Sequence, residues 1–288
     1  MPSEQIQWFP GHMAKTRRMI TENLKNVDVV IEILDARIPK SSRNPEISTL
    51  TANKPTILLL NKATLADPEM TKKWCDYYSN SQTICITTDC ISGMGINKIK
   101  DAVNTVLAEK IQRYESKGMT GRKLKAMIVG IPNVGKSSLI NKICGSKKAK
   151  VENRPGVTVD KQWVSTNIGL DLMDMPGVLW PKFDDRTVGE NLALTGAIKD
   201  KILDIETLAI VLCSRLRKFY PELLSARYKL GDIKDYSDYT DLEIFEIIGK
   251  KRGFLISGGE IDYERTANML LEEFRSGKIG KITLDKIN

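Results

Sequence analysis

Short apolar runs alternate with longer amphipathic stretches along the first part of the chain. Runs of four to six mainly apolar or β-branched residues predict strands at Val29–Leu34, Thr56–Leu60, Thr83–Thr87, Ala126–Val129, Trp163–Ile168 and Leu170–Met173. Helical periodicity predicts helices over Met13–Lys25, Glu69–Ser79, Asn97–Ser116 and Ser137–Cys144. Strands that alternate with helices are typical of a mainly parallel sheet covered on both faces.

The pattern changes near Gly189, beyond which only helices are predicted. These helices span Ile205–Phe219, Asp241–Lys250 and Tyr263–Arg275. The segment Ser116–Lys123 contains glycine and many charges, and it predicts a linker within the first part. We therefore expect an α/β domain over residues 1–189 and a small all-α domain over residues 190–288.

The string GIPNVGKSS, residues 130–138, satisfies the phosphate-loop pattern G-x-x-x-x-G-K-[ST]. A predicted strand enters it and a predicted helix leaves it, which is the context that the pattern requires. Backbone amides of such a loop surround the phosphates of a nucleotide. Lys136 is expected to reach the β- and γ-phosphates and the Ser137 hydroxyl to bind Mg²⁺. The predicted nucleotide-binding residues here are Asn133, Val134, Gly135, Lys136, Ser137 and Ser138.

Two further motifs follow the phosphate loop. Asp174-x-x-Gly177 stands at the end of a predicted strand, where an Asp holds the Mg²⁺ shell and the glycine amide contacts the γ-phosphate. Between the loop and this motif lies RPGVTVD, in which Thr158 is placed to close on Mg²⁺ and the γ-phosphate. An ordinary loop hydroxyl is the alternative for Thr158.

A base-recognition motif precedes the phosphate loop instead of following it. Asn61-Lys62-Ala63-Thr64 comes directly after an apolar strand, in the manner of an NKxD sequence that reads guanine. The fourth position is Thr64 rather than Asp, so a single uncharged acceptor replaces a carboxylate and guanine selectivity is expected to weaken. The next strand leads to Asp89-Cys90, the expected place of the loop whose backbone caps the base oxygen.

The five motifs together predict a Ras-like P-loop G domain with circularly permuted motif order. Base motif, capping loop, phosphate loop, switch threonine and DxxG all occur, but the base half comes first. A consequence is that the chain leaves the G domain directly after Gly177, so the helical domain is attached to the segment that senses the γ-phosphate.

Composition excludes several other classes. The five cysteines form no CxxC pair, which argues against a zinc site or a disulfide framework. No apolar run is long enough to span a membrane, and no secretory signal pattern is present. We expect a cytoplasmic protein with no membrane partner.

The net charge of +8 is unevenly distributed. Residues 191–288 contain 16 basic and 16 acidic side chains, so the whole excess lies in the first part of the chain. Basic clusters occur around Lys15–Arg18, Lys117–Lys125 and Lys147–Arg154. They predict contacts with RNA phosphates, and a solvated basic surface is the alternative.

At this point the chain resembles the ribosome biogenesis GTPase A family (RbgA/YlqF) of circularly permuted GTPases. The resemblance rests on seven strings that cover nearly the whole chain: IQWFPGHMAK, DARIPKSSRNP, IVGIPNVGKSSLIN, RPGVT, DMPGVLWPKF, LTGAIKD and IGKKRG. It implies hydrolysis of GTP to GDP coupled to late maturation of the large (50S) ribosomal subunit. Ribosomal RNA is the implied partner of the basic clusters, and the helical domain is expected to contact the ribosome.

The resemblance also bears on catalysis. Val178 and Leu179 follow DxxG where many small GTPases place a water-orienting glutamine. By analogy with the family, His12 supplies the catalytic group together with Lys136 and Thr158; an RNA-contacting or structural histidine is the alternative. Asn133 resembles the asparagine that binds K⁺ in potassium-activated G proteins, or it is an ordinary polar loop residue.

The function predicted from the sequence is that of a monomeric, Mg²⁺-dependent GTPase, with K⁺ as a second ion, that acts on the large ribosomal subunit. One rival is a nucleotide-sensing RNA-binding adaptor with negligible turnover. Another is a P-loop enzyme that uses ATP on a small substrate. Turnover with and without ribosomal subunits separates the first two, and competition by GDP against ADP tests the third.

Overall fold

A computed structural model of the protein describes residues 10–145, 162–180, 183, 185–200 and 203–287, without the side chains of residues 10–13, 162, 233 and 234. Its centre is a six-stranded sheet. The strands are β1 (Val29–Asp35), β2 (Thr56–Asn61), β3 (Thr83–Thr87), β4 (Leu124–Gly130), β5 (Gln162–Ser165) and β6 (Leu170–Asp174). The six predicted strands are therefore all present.

The strand order of the sheet is β3-β2-β1-β4-β6-β5. All neighbours are parallel except β5 and β6, which pair antiparallel. Strand β4, which enters the phosphate loop, is central, and the first three strands of the chain form one half of the sheet. Counting strands from β4 onward and returning to β1 gives the order 2-3-1-4-5-6 of a Ras-like G domain. The prediction of a circularly permuted α/β fold is confirmed.

The described residues of the first part form six α-helices: α1 (Pro10–Leu24), α2 (Pro45–Thr51), α3 (Pro68–Tyr78), α4 (Lys98–Val106), α5 (Ala108–Glu115) and α6 (Lys136–Cys144). Helix α2 was not predicted, although the Asn44 side chain caps it by accepting from the Glu46 amide. The prediction of one helix over Asn97–Ser116 is wrong, because the chain leaves the helical conformation at Leu107.

Alternate side chains of β1 enter two different cores. Val30 packs in one cluster with Ile20 of α1, whereas Ile31 shares another with Ile99 of α4 and Leu139 of α6. Every residue of β1 is buried. Burial on both faces explains why this strand is a continuous apolar run interrupted only by Glu32 and ended by Asp35.

The predicted strand over Trp163–Ile168 is too long. Strand β5 ends at Ser165, and the next residue, Thr166, begins the turn to β6. The Thr166 amide donates to the Leu170 carbonyl at 3.0 Å, and its hydroxyl bonds the same oxygen at 2.8 Å. Gly169 takes φ 82° in this turn, a conformation that favours glycine.

The described residues of the second part form helices, as predicted, with one isolated antiparallel bridge between Leu255 and Ile261. The α-helices are α7 (Arg186–Leu194), α8 (Ile205–Phe219), α9 (Pro221–Tyr228), α10 (Asp241–Lys251) and α11 (Tyr263–Arg275). Helices α8 and α11 have the predicted bounds, whereas the short α7 and α9 were not predicted. The predicted boundary after residue 189 falls inside α7. Among the described residues, no helix is long and apolar enough to cross a membrane.

A tail that follows α11 returns to the first half of the sheet. The Ile282 amide donates to the Leu65 carbonyl at 3.0 Å, immediately after the base motif, and the Leu284 amide donates to the Arg37 carbonyl at 2.7 Å. Asp285 accepts from the amide and hydroxyl of Ser41 at 2.6 and 2.7 Å. The tail therefore attaches the helical region to the base-recognition half, in addition to the covalent connection behind DxxG.

Candidate functional site

The phosphate loop connects β4 to α6 and requires glycine at two positions. Gly130 has φ 153°, and a Cβ there would lie 2.6 Å from the carbonyl oxygen of Ile33. Gly135 has φ 109°, and a Cβ there would overlap the amide nitrogen of Asn61. The loop is therefore packed against β1 on one side and against the base motif on the other.

Lys136 is folded back onto its own loop. Its Nζ donates to the carbonyl oxygens of Gly130 and Ile131 at 3.0 and 2.7 Å. Burial lowers the pKa of Lys136 to about 8, and the nearby Asp174 carboxylate opposes this shift. A Cβ at Gly177 would lie 2.7 Å from Nζ, so DxxG and the phosphate loop meet at this ammonium group.

Asp174 ends β6, where it pairs with Ile128 of β4, two residues before the phosphate loop begins. Ser137 is the second residue of α6, followed by Ser138. A serine hydroxyl and an aspartate carboxylate are hard oxygen donors of the kind that Mg²⁺ prefers beside phosphates, so the residues present fit that ion. Thr158 lies outside the described residues, and the side chain of His12 does as well.

Asn61 joins three segments of the candidate site. Its Nδ2 donates to the Val134 carbonyl of the phosphate loop at 2.7 Å. Its Oδ1 accepts from the Cys90 amide at 3.0 Å. The side chain is almost fully buried. The structure therefore brings base motif, capping loop and phosphate loop together, which their separation in sequence does not show.

Lys62 has a left-handed backbone conformation, with φ 60°. Its Nζ lies 2.9 Å from Oδ2 of Asp35, which also binds the guanidinium of Arg37 at 2.7 Å. Burial opposes ionisation of Asp35, but Arg37 and Lys62 hold the pKa of Asp35 well below its usual range. Asp35 and Arg37 are functional candidates that the sequence analysis did not single out. Their signal was the string DARIPKSSRNP, which directly follows a buried strand.

Thr64 and Asp89 are in direct contact. The Thr64 hydroxyl donates to Oδ2 of Asp89. The backbone amides of Ile91 and Ser92 donate to Oδ1 at 2.9 and 2.8 Å. Burial works against the charged form, but these hydrogen bonds outweigh it and lower the pKa of Asp89. A buried, ionised carboxylate thus lies beside the position where an NKxD motif has its Asp.

Asn133 connects the phosphate loop to the helical region. Its backbone has φ 58°, and its Nδ2 donates to the Gly196 carbonyl at 2.7 Å. Gly196 lies two residues after the end of α7, within the string LTGAIKD. Oδ1 of the Asn133 side chain is a carbonyl oxygen, which is the kind of ligand that K⁺ takes.

A family model described as 50S ribosome-binding GTPase matches residues 125–232 of the chain. The match begins inside β4, so the base motif and the capping loop lie outside it, as rotated motif order requires.

Full-length relatives cover both halves. Ribosome biogenesis GTPase A of Priestia megaterium is 49% identical over 97% of this chain and 96% of that protein. A GDP-bound YlqF structure superposes with a TM-score of 0.63 at 26% identity, covering 93% of this chain and 99% of that one. A GNP-bound YlqF from T. maritima gives a TM-score of 0.61 at 28% identity, with 94% and 98% covered.

Proposed function

Because this chain belongs to the ribosome biogenesis GTPase A family, we propose that it couples GTP hydrolysis to a late step in maturation of the large ribosomal subunit. The chain is a P-loop GTPase. Within the proposed site, Asn61 and Lys62 bind the base, the backbone of Ala63 and Cys90 borders it, and the loop from Asn133 to Ser138 holds the phosphates.

The observation that carries the ribosomal part of this proposal is a basic pocket at the opposite end of the sheet from the nucleotide. It is a cavity of about 440 Å³ near the amino ends of β1, β2 and β4. Five cationic side chains, two aromatic rings and one carboxylate line it: Lys25, Lys54, Lys110, Arg122, Lys125, Tyr114, Trp163 and Asp28. Clustered cations of this kind bind nucleic-acid phosphates.

The aromatic rings of the basic pocket suit a single-stranded RNA segment. The Trp163 side chain is 44% exposed, and the Lys125 ammonium lies 5.5 Å from its ring centre. The Arg122 guanidinium lies 4.6 Å from the ring of Tyr114. Tyr114 is partly buried against the core, so the exposed ring of Trp163 is the one that can stack on an unpaired base while the cations hold the phosphates. We therefore place ribosomal RNA at this pocket.

Exposed cations provide a test that leaves folding intact. Replacing Lys25, Arg122 and Lys125 by Gln should weaken binding to large subunits and flatten its dependence on salt. The matched control also removes three positive charges, at the exposed residues Lys72, Lys73 and Lys250 outside the pocket. If the salt dependence of binding is unchanged in the first variant, these cations do not contact RNA phosphates and are only a solvated basic surface.

In this proposal, two connections transmit a change of bound nucleotide to the helical region. One is the chain itself, which runs from Gly177 to the start of α7. The other is the hydrogen bond from Asn133 to Gly196 at 2.7 Å. A change in the loop on γ-phosphate binding would alter both and reorient the surface offered to the ribosome.

Hydrolysis in this site needs a group that the residues after DxxG do not supply. Val178 and Leu179 are apolar and buried. We propose that His12, at the start of α1, orients the attacking water once subunit binding positions it. Mg²⁺, held by Ser137, Thr158 and Asp174, would neutralise charge on the phosphates, and Asn133 is the proposed K⁺ ligand.

Two experiments test the proposal. Co-sedimentation with large subunits should be strong with a non-hydrolysable GTP analogue and weak with GDP; equal binding would contradict coupling. In single turnovers on saturating subunits, His12→Ala should slow hydrolysis by ~10²-fold, with nucleotide affinity unchanged. A wild-type rate would make His12 an RNA contact and move the catalytic group to the ribosome.

A further inference from the structure

The capping loop supplies a carboxylate that the base motif lacks. In an NKxD motif the fourth residue is an Asp, whose carboxylate accepts hydrogen bonds from guanine. In this chain that residue is Thr64, and its hydroxyl donates to Oδ2 of Asp89. The negative charge is therefore present at the same place, carried by a different segment.

The two oxygens of Asp89 have different surroundings. Oδ1 accepts from two backbone amides, those of Ile91 and Ser92, which hold the carboxylate in its loop. Among the described residues, Oδ2 has the Thr64 hydroxyl as its hydrogen-bond donor. A carboxylate has about four acceptor sites, and a hydroxyl can rotate to another partner. Oδ2 therefore has acceptor capacity for a ligand.

The residues on both sides of Asp89 are bonded to the base motif. The Cys90 amide donates to Asn61 Oδ1 at 3.0 Å, and the Ala63 amide donates to the Thr88 carbonyl at 3.1 Å. Asp89 is thus held directly beside the residues proposed to bind the purine. The inference rests on that proposed base site.

We propose that Asp89, and not residue 64, is the carboxylate that selects guanine. Its Oδ2 accepts from guanine N1–H and from the exocyclic 2-amino group after the Thr64 hydroxyl turns away. Adenine offers an acceptor at N1 and no 2-amino group, and xanthine offers an oxygen at C2. Adenine would leave the buried carboxylate without a donor, and xanthine, which keeps N1–H, would set its C2 oxygen against the carboxylate in place of an amino group; both mismatches are costly.

The Asp89→Asn variant replaces the acceptor at the Oδ2 position by a donor and should leave the loop conformation unchanged. Its Oδ1 can still accept from Ile91 and Ser92, while an amide nitrogen replaces Oδ2. GDP affinity should fall roughly 10- to 100-fold, the scale of a hydrogen bond to a charged group. XDP affinity should rise, because the amide donates to the C2 oxygen. Calorimetric titration with both nucleotides measures the ratio, and an unchanged ratio would overturn the proposal.

Variants at residue 64 give an independent test. Thr64→Asp should not tighten GDP, because it places a second carboxylate against Asp89. The double variant Thr64→Asp/Asp89→Asn again has one carboxylate and should bind GDP within about threefold of wild type. Thr64→Val, the matched control, keeps the shape without the hydroxyl and should also stay within about threefold. A tenfold gain in the single Thr64→Asp variant would assign base reading to residue 64 and overturn the proposal.

Nucleotide preference of the wild-type protein distinguishes an error about Asp89 from an error about the whole base site. If it binds GDP no better than XDP or ADP, both the base site and the role of Asp89 are wrong. If it prefers GDP and Asp89→Asn keeps that preference, only the role of Asp89 is wrong.

Discussion

The base-recognition side and the phosphate side of the site are held in different ways. Asn61, Lys62 and Asp89 each bond to groups from other segments of the chain. Lys136 instead donates to carbonyls of its own loop. The base side is thus organised by tertiary contacts before any ligand arrives. On the phosphate side, Lys136 is bonded within its own loop. In the proposed site it would exchange these carbonyls for phosphate oxygens.

The two sides of the site should contribute differently to folding stability. A side chain that links segments contributes to stability, because its loss leaves buried partners unsatisfied. A buried ammonium facing only carbonyls and one nearby carboxylate is costly to charge, as the lowered pKa of Lys136 indicates. Stability should therefore depend on the base side, and ligand binding on the phosphate side.

The largest expected effect comes from Lys136→Met. GTP hydrolysis should fall by ~10²- to 10³-fold, since the cation that faces the developing phosphate charge is lost. The free energy of unfolding of the nucleotide-free protein should change little, because removal of a desolvated charge offsets the loss of the hydrogen bonds to the Gly130 and Ile131 carbonyls. Steady-state turnover and chemical denaturation measure the two quantities. Lys142→Met, on the same helix, is the matched control and should keep activity. A Lys136→Met protein that is both inactive and strongly destabilised would contradict the distinction between the two sides.

Asn61→Ala should show the opposite signature. It leaves the Cys90 amide and the Val134 carbonyl without their partner, so the free energy of unfolding should fall by ~1–3 kcal/mol without nucleotide. GDP affinity should fall as well. Urea denaturation of the free protein is the measurement, and Asn80→Ala on an exposed turn is the control. Unchanged stability would mean that the base side is not organised before binding.

The third prediction uses pH. Lys136 titrates near pH 8 in the free protein, and bound phosphates should raise its pKa. Binding of GDP at pH 9 should therefore take up about one proton, whereas binding at pH 6.5 should take up none at this group. Affinity should fall by up to about tenfold per pH unit above 8. Calorimetry in buffers of different ionisation enthalpy counts the proton.

The lowered pKa of Lys136 also affects how the stability of the nucleotide-free protein depends on pH. Because the pKa of Lys136 is lower in the folded state than the usual 10.5, the unfolded chain binds more protons between about pH 8 and that value. This group therefore adds stability as pH rises through that window. Lys136→Met should abolish both the proton uptake and this part of the stability profile; persistence of either would assign the titration to another group.

The smallest effect is expected at Asn133, the link from the phosphate side to the helical region. Asn133→Ala should lower the free energy of unfolding by about 0.5–1.5 kcal/mol, the value of one hydrogen bond. It should also remove any stimulation of turnover by K⁺ over Na⁺ if the side chain binds that ion. Stability and turnover in the two salts test these roles separately.

The sequence predicted the parts that depend on local pattern. The strands around β4, helices α8 and α11, and the phosphate loop follow from apolar periodicity and from a complete motif. The rotated order follows from where Asn61-Lys62 stands relative to that loop. Short helices such as α2 and α7 were missed, because seven to nine residues show too few repeats of the apolar pattern to identify a helix.

Long-range pairing was not predictable from one sequence. Nothing local to Thr64 indicates that Asp89 would meet it, since the two residues lie in different loops brought together by β2 and β3. The same holds for Asp35 with Lys62, which lie 27 residues apart in the sequence. The pocket around Trp163 also combines segments that are distant along the chain. These features are set by tertiary packing and required the structure.

The tail that returns to the base side has a consequence for biosynthesis. Thr283 accepts from the Asp67 amide across 216 residues of sequence, and Asp285 accepts from Ser41 across 244. Strands β1 to β3 leave the ribosome first, yet their loops are completed by a segment translated much later. Contacts so far apart in sequence form slowly. The loops at Asp67 and Ser41 therefore gain these partners only after residues 283 and 285 have been synthesised.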